Sequence, residues 1–226
     1  MGTRRALLAA LLELTAVSCS RPAPGFRAVE LVHQMSGRQQ RETITYGPDA
    51  MRVEGRDGVW ILRYADRTVF ILSPDEKSYR ETSLEQFAAA QKEKFMQPDL
   101  PDLVGTVSGA GIQIERSGQK TQIAGVDATL TRVRSEAFEV ELWLSDSIRL
   151  PGPRRPTFEL LHALGGPLAL PADLFDHLSG FPVRSIVRVK AGPFGEFKVA
   201  RALVSIDRSA PPPDDFRVPE GFRRAG

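Results

Sequence analysis

The chain has 226 residues, with 30 lysines and arginines against 28 aspartates and glutamates and a formal net charge of +2. That length suits one large domain or two small ones and allows a sizeable buried core. Charged residues of both signs are interspersed along the chain. There is no basic stripe of the kind that nucleic-acid binding requires, so we expect neither DNA nor RNA as a partner.

The first residues have the layout of a secretory signal. Arg4 and Arg5 precede an apolar run over residues 6–17, which Glu13 interrupts, and small residues surround Cys19. A positive start, a short apolar centre and a small-residue cleavage site are typical of such signals. The run is shorter than the roughly 20 apolar residues of a membrane-spanning helix, and no later segment approaches that length.

Cys19 is the only cysteine, so it cannot form a disulfide within the chain. Residues 16–18 and Cys19 resemble a bacterial lipoprotein cleavage box, in which the cysteine is acylated. The same small residues also suit an ordinary signal peptidase, which would release a soluble secreted or periplasmic protein. We expect a signal peptide over residues 1–18, a lipidated Cys19 and a proline-stiffened tether over residues 19–25. This predicts a periplasm-facing, outer-membrane lipoprotein of the bacterial envelope.

From Phe26 onward, apolar and polar residues alternate as in half-buried strands. Val29, Leu31 and His33 share one predicted face, and Glu30 lies on the other. Further strands are predicted as far as residue 81, with turns at residues 47–49, 55–58, 65–67 and 73–76. Connections this short join antiparallel neighbours, because parallel strands need a crossover of a dozen or more residues. This half is therefore predicted to be an antiparallel meander.

The first predicted helix lies near residues 83–96, because Ser83 and Gln86 have the spacing of a capping box. Strands then resume, with predicted turns at residues 117–118 and 124–125. From Phe138 to residue 144 apolar and polar residues alternate more regularly than in any other part of the sequence, which predicts a half-buried strand.

Residues 150–180 are rich in proline and glycine and predict two short helices, near residues 157–164 and 172–178. Each is too short to be stable alone, so both are expected to dock on the sheet. Two long strands follow. A shift in the apolar phase near residues 200–202 predicts a bulge in the second of them.

The sequence contains no recognisable catalytic constellation. His33, His162 and His177 lie in three separate predicted elements, without the paired spacing of a metal site. We interpret His33 as a core residue and the other two as polar positions on short surface helices. There is no nucleophile elbow, phosphate loop or dinucleotide fingerprint. We therefore expect no catalytic residue, no metal, no cofactor and no enzymatic activity.

Residues 59–81 form a ribbon with apolar side chains on both faces, so both faces need cover. If a curved sheet is filled incompletely, its interior becomes an apolar cavity able to take a lipid or an acyl chain. A well-packed sandwich without a cavity is the alternative. The predicted cavity residues are Trp60, Leu62, Phe70, Leu72, Phe138, Val140, Leu142, Val183 and Val187.

Several stretches resemble an uncharacterised family of bacterial envelope proteins, defined only by a domain of unknown function (DUF4412-like). They are residues 51–54, 59–79, 123–127, 141–145, 181–183 and 216–222. That family is more distantly similar to the lipoprotein carriers LolA and LolB, whose half-open antiparallel barrel is plugged by helices and holds acyl chains. The resemblance implies a mainly β (α+β) fold over residues 26–226, with a curved antiparallel sheet or half-barrel covered by a few helices.

The sequence is compatible with two functions. The first is a lipid-anchored envelope protein that attaches to the membrane through Cys19 and binds an apolar ligand, either an acyl chain or a lipoprotein. The second is a periplasmic interaction or sensor module without catalytic activity, whose core is filled and binds no ligand. A continuous apolar cavity would favour the first, and a filled core with an exposed apolar patch would favour the second.

Overall fold

A computed structural model describes residues 24–33, 37–95, 112–136, 138–165, 170, 172–190 and 196–225. The predicted signal peptide, Cys19 and most of the predicted tether lie outside these residues. The described strands are β1 (Phe26–His33), β2 (Gln39–Tyr46), β3 (Ala50–Gly55), β4 (Gly58–Arg63), β5 (Thr68–Ser73), β6 (Ser78–Ser83), β7 (Gln113–Ile123), β8 (Val126–Arg134), β9 (Phe138–Ser145), β10 (Phe181–Lys190), β11 (Glu196–Asp207) and β12 (Arg223–Arg224). The described α-helices are α1 (Leu84–Phe95) and α2 (Arg154–Gly165).

These strands form one sheet in the order β12-β6-β5-β4-β3-β2-β1-β11-β10-β9-β8-β7. Every described pair of neighbours is antiparallel except β12 and β6, which run parallel. The sheet is curved, and its two edge strands do not pair with each other. The predicted fold class, a curved antiparallel sheet covered by a few helices, is confirmed.

Tight turns connect β4, β5 and β6 at the predicted positions. Arg67 and Lys77 adopt left-handed backbone conformations, with φ of 55° and 47°, where the chain enters β5 and β6. Leu62 pairs with Val69, and Ile61 pairs with Phe70. Because side chains alternate along a strand, these two pairs lie on opposite faces, and both faces of the ribbon are apolar as predicted.

Helix α1 begins with the predicted capping box. The backbone N–H of Gln86 donates to Ser83 Oγ (3.2 Å), and the N–H of Ser83 donates to Gln86 Oε1 (3.5 Å). These contacts satisfy backbone donors that a helix start otherwise leaves without partners. The helix then turns Leu84 and Phe87, which are 1% and 2% exposed, onto the inner face of the sheet.

Two predicted features of the second half differ from the structure. Residues 117–118 are not a turn but an irregularity inside the long strand β7, where Gly118 has a φ of 69° and the Ser117 hydroxyl donates to the Leu130 carbonyl. The bulge of β11 lies at Val204, later than predicted, because Val29 pairs with Ser205 while Glu30 pairs with Leu203.

The proline-rich insertion contains α2, which begins three residues before the predicted start, and a 3-10 helix at Ala172–Asp176 in place of the second predicted helix. The rings of Phe158 and Phe175 stack with their centroids 3.8 Å apart and join the two pieces. The Arg154 guanidinium donates to the carbonyls of Phe175, Leu178 and Gly180. Residues 154–165 and 172–178 therefore act as one unit, called the lid below.

Apolar side chains collect in three places. The main core lies under α1 and α2, and a second cluster, the lid core, lies between the lid and the strands β8–β10. The third cluster, on the outer face of the sheet, contains Val59, Ile61 and Leu72 and is covered by Phe222 of the C-terminal segment. The helices and the lid thus cover the inner face of the ribbon, and the C-terminal segment covers the outer face.

Strand β1 buries the face opposite to the one that carries Val29, Leu31 and His33. Phe26, Ala28 and Val32 are buried together with Glu30, which is only 5% exposed. Val29, Leu31 and His33 are half-buried on the other face. His33, predicted as a core residue, therefore lies at the end of β1 outside the main core. The apolar pattern is ambiguous here because β1 sits in the middle of the sheet, where both faces are at least partly covered.

Candidate functional site

A cavity of about 100 Å³ lies between the lid and the inner face of β1, β10 and β11. Most of its wall is apolar. The lid contributes Phe158, Leu161 and Phe175, and the sheet contributes chiefly Phe181, Val183, Val187, Val199 and Leu203. The polar or charged side chains of the wall are Glu30, Tyr46, His162, Arg184, Ser185 and Arg201.

The strand register places the polar residues side by side at the centre of the sheet. Glu30 on β1 lies opposite Glu42 on β2 and opposite Leu203 on β11. Arg201, two positions before Leu203, projects from the same face because side chains alternate along a strand. Two distant parts of the chain, the paired strands β1 and β2 and the late strand β11, therefore meet beside the cavity.

Arg201 holds both glutamates in a buried ion cluster. Its Nη1 donates to Glu30 Oε2 (2.9 Å), and its Nη2 donates to Glu42 Oε2 (2.8 Å). Burial raises the pKa of Glu30, and the nearby Arg201 opposes that shift. Burial lowers the pKa of Arg201, but the two carboxylates more than compensate and keep it above its ordinary value. One cation therefore faces two carboxylates in a poorly solvated place.

Tyr46 supplies the other unusual polar group of the wall. Its ring packs against Phe26 and Phe181, with centroid distances of 4.6 and 5.7 Å. Its hydroxyl is buried and has no hydrogen-bond partner among the described residues. Burial, and next the carboxylate of Glu30, raise the pKa of Tyr46 well above its usual value. The hydroxyl is therefore protonated at neutral pH and is a hydrogen-bond donor without an acceptor.

The lid is fixed to the sheet by polar contacts at its rim. The Tyr64 hydroxyl lies 2.9 Å from Thr157 Oγ1, and it donates there because the Thr157 hydroxyl itself donates to the Pro153 carbonyl. Burial raises the pKa of Tyr64 to about 12. A side chain at Gly152 would collide with the Tyr64 ring, so the approach of this loop requires glycine.

Arg67 adds a second rim contact. It forms ion pairs with Glu85 of α1 (2.6 Å) and Glu159 of α2 (2.7 Å). The turn between β4 and β5 is thereby tied to both helices. All three side chains are at least a quarter exposed, so each pair contributes little stability but restricts how the lid sits.

The structure distributes the nine predicted cavity residues over several places. Val183 and Val187 line the cavity. Phe138, Val140 and Leu142 are buried in the lid core, while Trp60 and Leu62 pack in the main core. Phe70 and Leu72 lie on the outer face, near Phe222. The last two therefore face away from the lid, on the opposite side of the sheet from Trp60 and Leu62.

Sequence reasoning missed the lid residues and the polar wall. Phe158, Leu161 and Phe175 belong to the two short helices that were expected to dock on the sheet, but they were not predicted as parts of a cavity. For Glu30, the only signal was a lone carboxylate between apolar residues at alternate positions of β1. For Arg201 there was no local signal, because its partners lie 171 and 159 positions away.

Within the described part of the chain, no group of three or more His, Cys, Asp or Glu side chains could hold a metal ion. His162, on α2, has its Nδ1 3.1 Å from the Leu170 carbonyl oxygen. None of the helices described is both long enough and apolar enough to cross a membrane.

Comparison with solved structures finds weak similarities. An uncharacterized conserved protein from Thermus thermophilus is 10% identical over 90% of each chain, with a TM-score of 0.48. A LolA superfamily protein from Nitrosomonas europaea is 12% identical over 88% of this chain and 91% of its own, with a TM-score of 0.33. PNGF-II has a TM-score of 0.44 and 10% identity, and this chain covers only 30% of its length.

No curated protein matches the sequence significantly. The model of one protein family, described as a domain of unknown function (DUF4412), matches residues 23–222. The matched range contains strands β1–β11, both α-helices and the segment that carries Phe222. The resemblance noted in the sequence is thereby confirmed, and the chain belongs to the DUF4412 family.

Proposed function

We propose that this domain binds an apolar ligand, an acyl chain or the acyl part of a lipoprotein, between the lid and the sheet. The observation that supports the proposal is the cavity of about 100 Å³, whose wall consists mainly of apolar side chains from both the lid and the sheet. Removing apolar ligand surface from water would provide the affinity, at roughly 25 cal/mol per Å².

The size of the cavity implies that the lid moves when a chain binds. Pockets for ligands of moderate size have volumes of about 300–1,000 Å³, several times that of this cavity. With the lid in its closed position, the cavity has room for only a short apolar group. The lid consists of one α-helix and one 3-10 helix, and its rim contacts are one hydrogen bond, from Tyr64 to Thr157, and partly exposed ion pairs. Such contacts are weak enough to open at moderate cost.

We also propose where the domain acts and what it does not do. The secretory layout and the lipoprotein box support a periplasm-facing envelope protein that is held at the membrane through an acylated Cys19. The proposed role is binding or transfer of the ligand without catalysis.

The test is to fill the cavity and measure acyl-chain uptake. Val199 lines the cavity on β11, whereas Val204 on the same strand is 41% exposed. We expect Val199→Phe to lower the affinity for acyl chains at least about tenfold, because the added ring occupies ligand volume. Val204→Phe is the matched control and should bind like the wild type. The measurement is native mass spectrometry of protein purified without detergent, before and after addition of fatty acids and acyl glycerols.

Circular dichroism of both variants would show that the fold is retained. If the wild-type protein carries no lipid and takes up none of the added acyl chains, the binding proposal is wrong. The interaction or sensor module with a filled core would then be the better description, and the search would turn to protein partners.

A further inference from the structure

The guanidinium of Arg201 beside the cavity is already paired within the protein. Arg201, a partly buried cation of the wall, donates to Glu30 through Nη1 and to Glu42 through Nη2. Glu30 and Glu42 together exceed it by one negative charge when both are ionised. The other cationic residue of the wall, Arg184, is exposed, so solvent and salt screen its charge. A ligand anion would gain no free counter-ion here and would approach two buried carboxylates.

The unpartnered hydroxyl of Tyr46 favours a ligand atom that accepts a hydrogen bond. It is a protonated donor beside the same carboxylate, and it lacks an acceptor among the described residues. A buried donor without an acceptor is unfavourable, so a ligand atom that accepts this hydrogen bond is favoured. An ammonium group is a donor only and cannot accept a hydrogen bond from Tyr46. The oxygen of an alcohol or an ester accepts this hydrogen bond without adding charge.

The position of the hydroxyl explains how it stays unsatisfied in the closed form. The Tyr46 side chain lines the cavity, but its hydroxyl oxygen is closed off from solvent by neighbouring side chains. A ligand reaches it only when the wall or the lid shifts. The proposed function already requires such a shift, because the closed cavity is too small for a chain.

We infer that this cavity selects apolar ligands whose polar end is uncharged and accepts a hydrogen bond, such as alcohols and esters, over ligands that end in a carboxylate. The inference rests on the proposed function and adds the chemical class of the ligand. Acyl chains in ester linkage fit this class, whereas free fatty acids at neutral pH do not. The Tyr46 hydroxyl favours the first class by donating a hydrogen bond, and the carboxylates of Glu30 and Glu42 disfavour the second class.

The test compares three probes with the same eight-carbon chain, octanol, octanoate and octylammonium, by calorimetric titration of the full-length protein at neutral pH. We expect octanol to bind about tenfold more tightly than either charged probe. Tyr46→Phe should weaken octanol binding by about five- to tenfold and leave octanoate unchanged, since it removes one neutral hydrogen bond. Because the hydroxyl has no partner among the described residues, this variant should fold normally.

Tyr64→Phe is the matched control. Tyr64 is also a tyrosine of the inner face, partly buried, but its hydroxyl already has a partner in Thr157, and it does not line the cavity. It should leave the ratio of octanol to octanoate affinity unchanged. Equal affinities for octanol and octanoate, tighter binding of octylammonium, or a ratio that Tyr46→Phe does not change would overturn the inference and leave the proposed function standing. Failure of all three probes together with failure of acyl-chain uptake would overturn both.

Discussion

Glu30 and Glu42 are directly opposite one another on adjacent strands, an arrangement in which like charges destabilise a sheet. Arg201 makes the pair tolerable by placing one guanidinium against both carboxylates. The burial of three ionisable side chains still carries a desolvation cost that apolar residues would avoid. A costly cluster beside a cavity is typical of a site that serves recognition.

The raised pKa of Glu30 predicts an unusual pH dependence of stability. Burial raises the pKa of the Glu30 carboxyl in the folded protein above its pKa in the unfolded chain, which is about 4.3. Such a carboxyl stabilises the fold fully when the pH is below the pKa of the unfolded chain. This contribution is lost as the pH rises through the pKa of the folded protein. We therefore expect Glu30→Gln to gain stability relative to the wild type as the pH rises from acid to neutral. At neutral pH the free energy of unfolding of the variant, measured by urea denaturation, should lie within about 1 kcal/mol of the wild-type value.

Asp66→Asn provides the contrast for this measurement. The hydrogen bond from Arg63 holds the pKa of Asp66 below its ordinary value, so that carboxylate stabilises the fold at neutral pH and loses this effect in acid. The Asn variant should lose stability relative to the wild type as the pH rises. A Glu30→Gln difference that is constant with pH, or that follows the direction of Asp66→Asn, would contradict our assignment of the buried charge.

The limits of sequence reasoning are clearest at these residues. Alternation along β1 shows two faces but not which of them enters the core, since the pattern there is nearly as apolar on either side. The choice depends on Arg201, which reaches Glu30 only after the sheet has assembled. The alternation of β10 was enough to predict Val183 and Val187 as cavity residues. The polar residues of the cavity wall could not be predicted in this way, because they meet only in the folded sheet.

At the scale of elements, the lid depends on Arg154 more than on its own helical tendency. A 3-10 helix of five residues is not stable by itself, and Arg154 satisfies three carbonyls at and beyond its end. Arg154→Lys keeps the charge but loses the forked donor geometry. We expect faster amide hydrogen exchange in residues 172–178 and faster ligand association, because the lid opens more often.

Arg155→Lys is the neighbouring control. Arg155 is also on α2, but its side chain is 64% exposed and forms surface ion pairs with Glu159 and Asp176. Such pairs contribute little, so exchange in the lid should stay close to that of the wild type. Equal exchange rates in both variants would show that Arg154 does not hold the lid.

Elements with complete local signals were predicted well, and elements shaped by distant contacts were not. The turns of the ribbon and the capping box at Ser83 depend on residues within a few positions of each other, and they are as expected. The Ser-Gly pair in β7 also looks like a turn, but the neighbouring strand β8 continues to pair on both sides of it. The second lid helix is tightened into a 3-10 helix where it meets Phe158 and Arg154.

On the scale of the whole molecule, the C-terminal segment crosses the outer face of the sheet. Asp215 forms an ion pair with Arg27 (2.7 Å), and its backbone carbonyl accepts a hydrogen bond from Arg52. Phe222 then covers the outer-face cluster, and β12 pairs with β6 at the far edge. This C-terminal segment thus covers the apolar side of the sheet that the helices leave open.

Phe222→Ala tests this cover. Phe222 is half-buried against Val59, Ile61 and Leu72, so its truncation should lower the free energy of unfolding by about 1–2 kcal/mol. Arg217→Ala, in the same segment but 73% exposed, should change it by less than about 0.5 kcal/mol. Urea denaturation measures both. Equal small effects would mean that the segment lies on the sheet without stabilising it.

In the middle of the sheet the first strand, β1, pairs with the late strand β11. During synthesis, β1 to β6 emerge first, yet the free edge of β1 has no neighbour until residues 196–207 are available. Pairing at this separation makes folding slow, and unpaired edges invite association with other chains. Any fragment that stops before residue 196 leaves both β1 and β10 with an open edge, so the middle of this molecule is completed only when almost all of the chain is present.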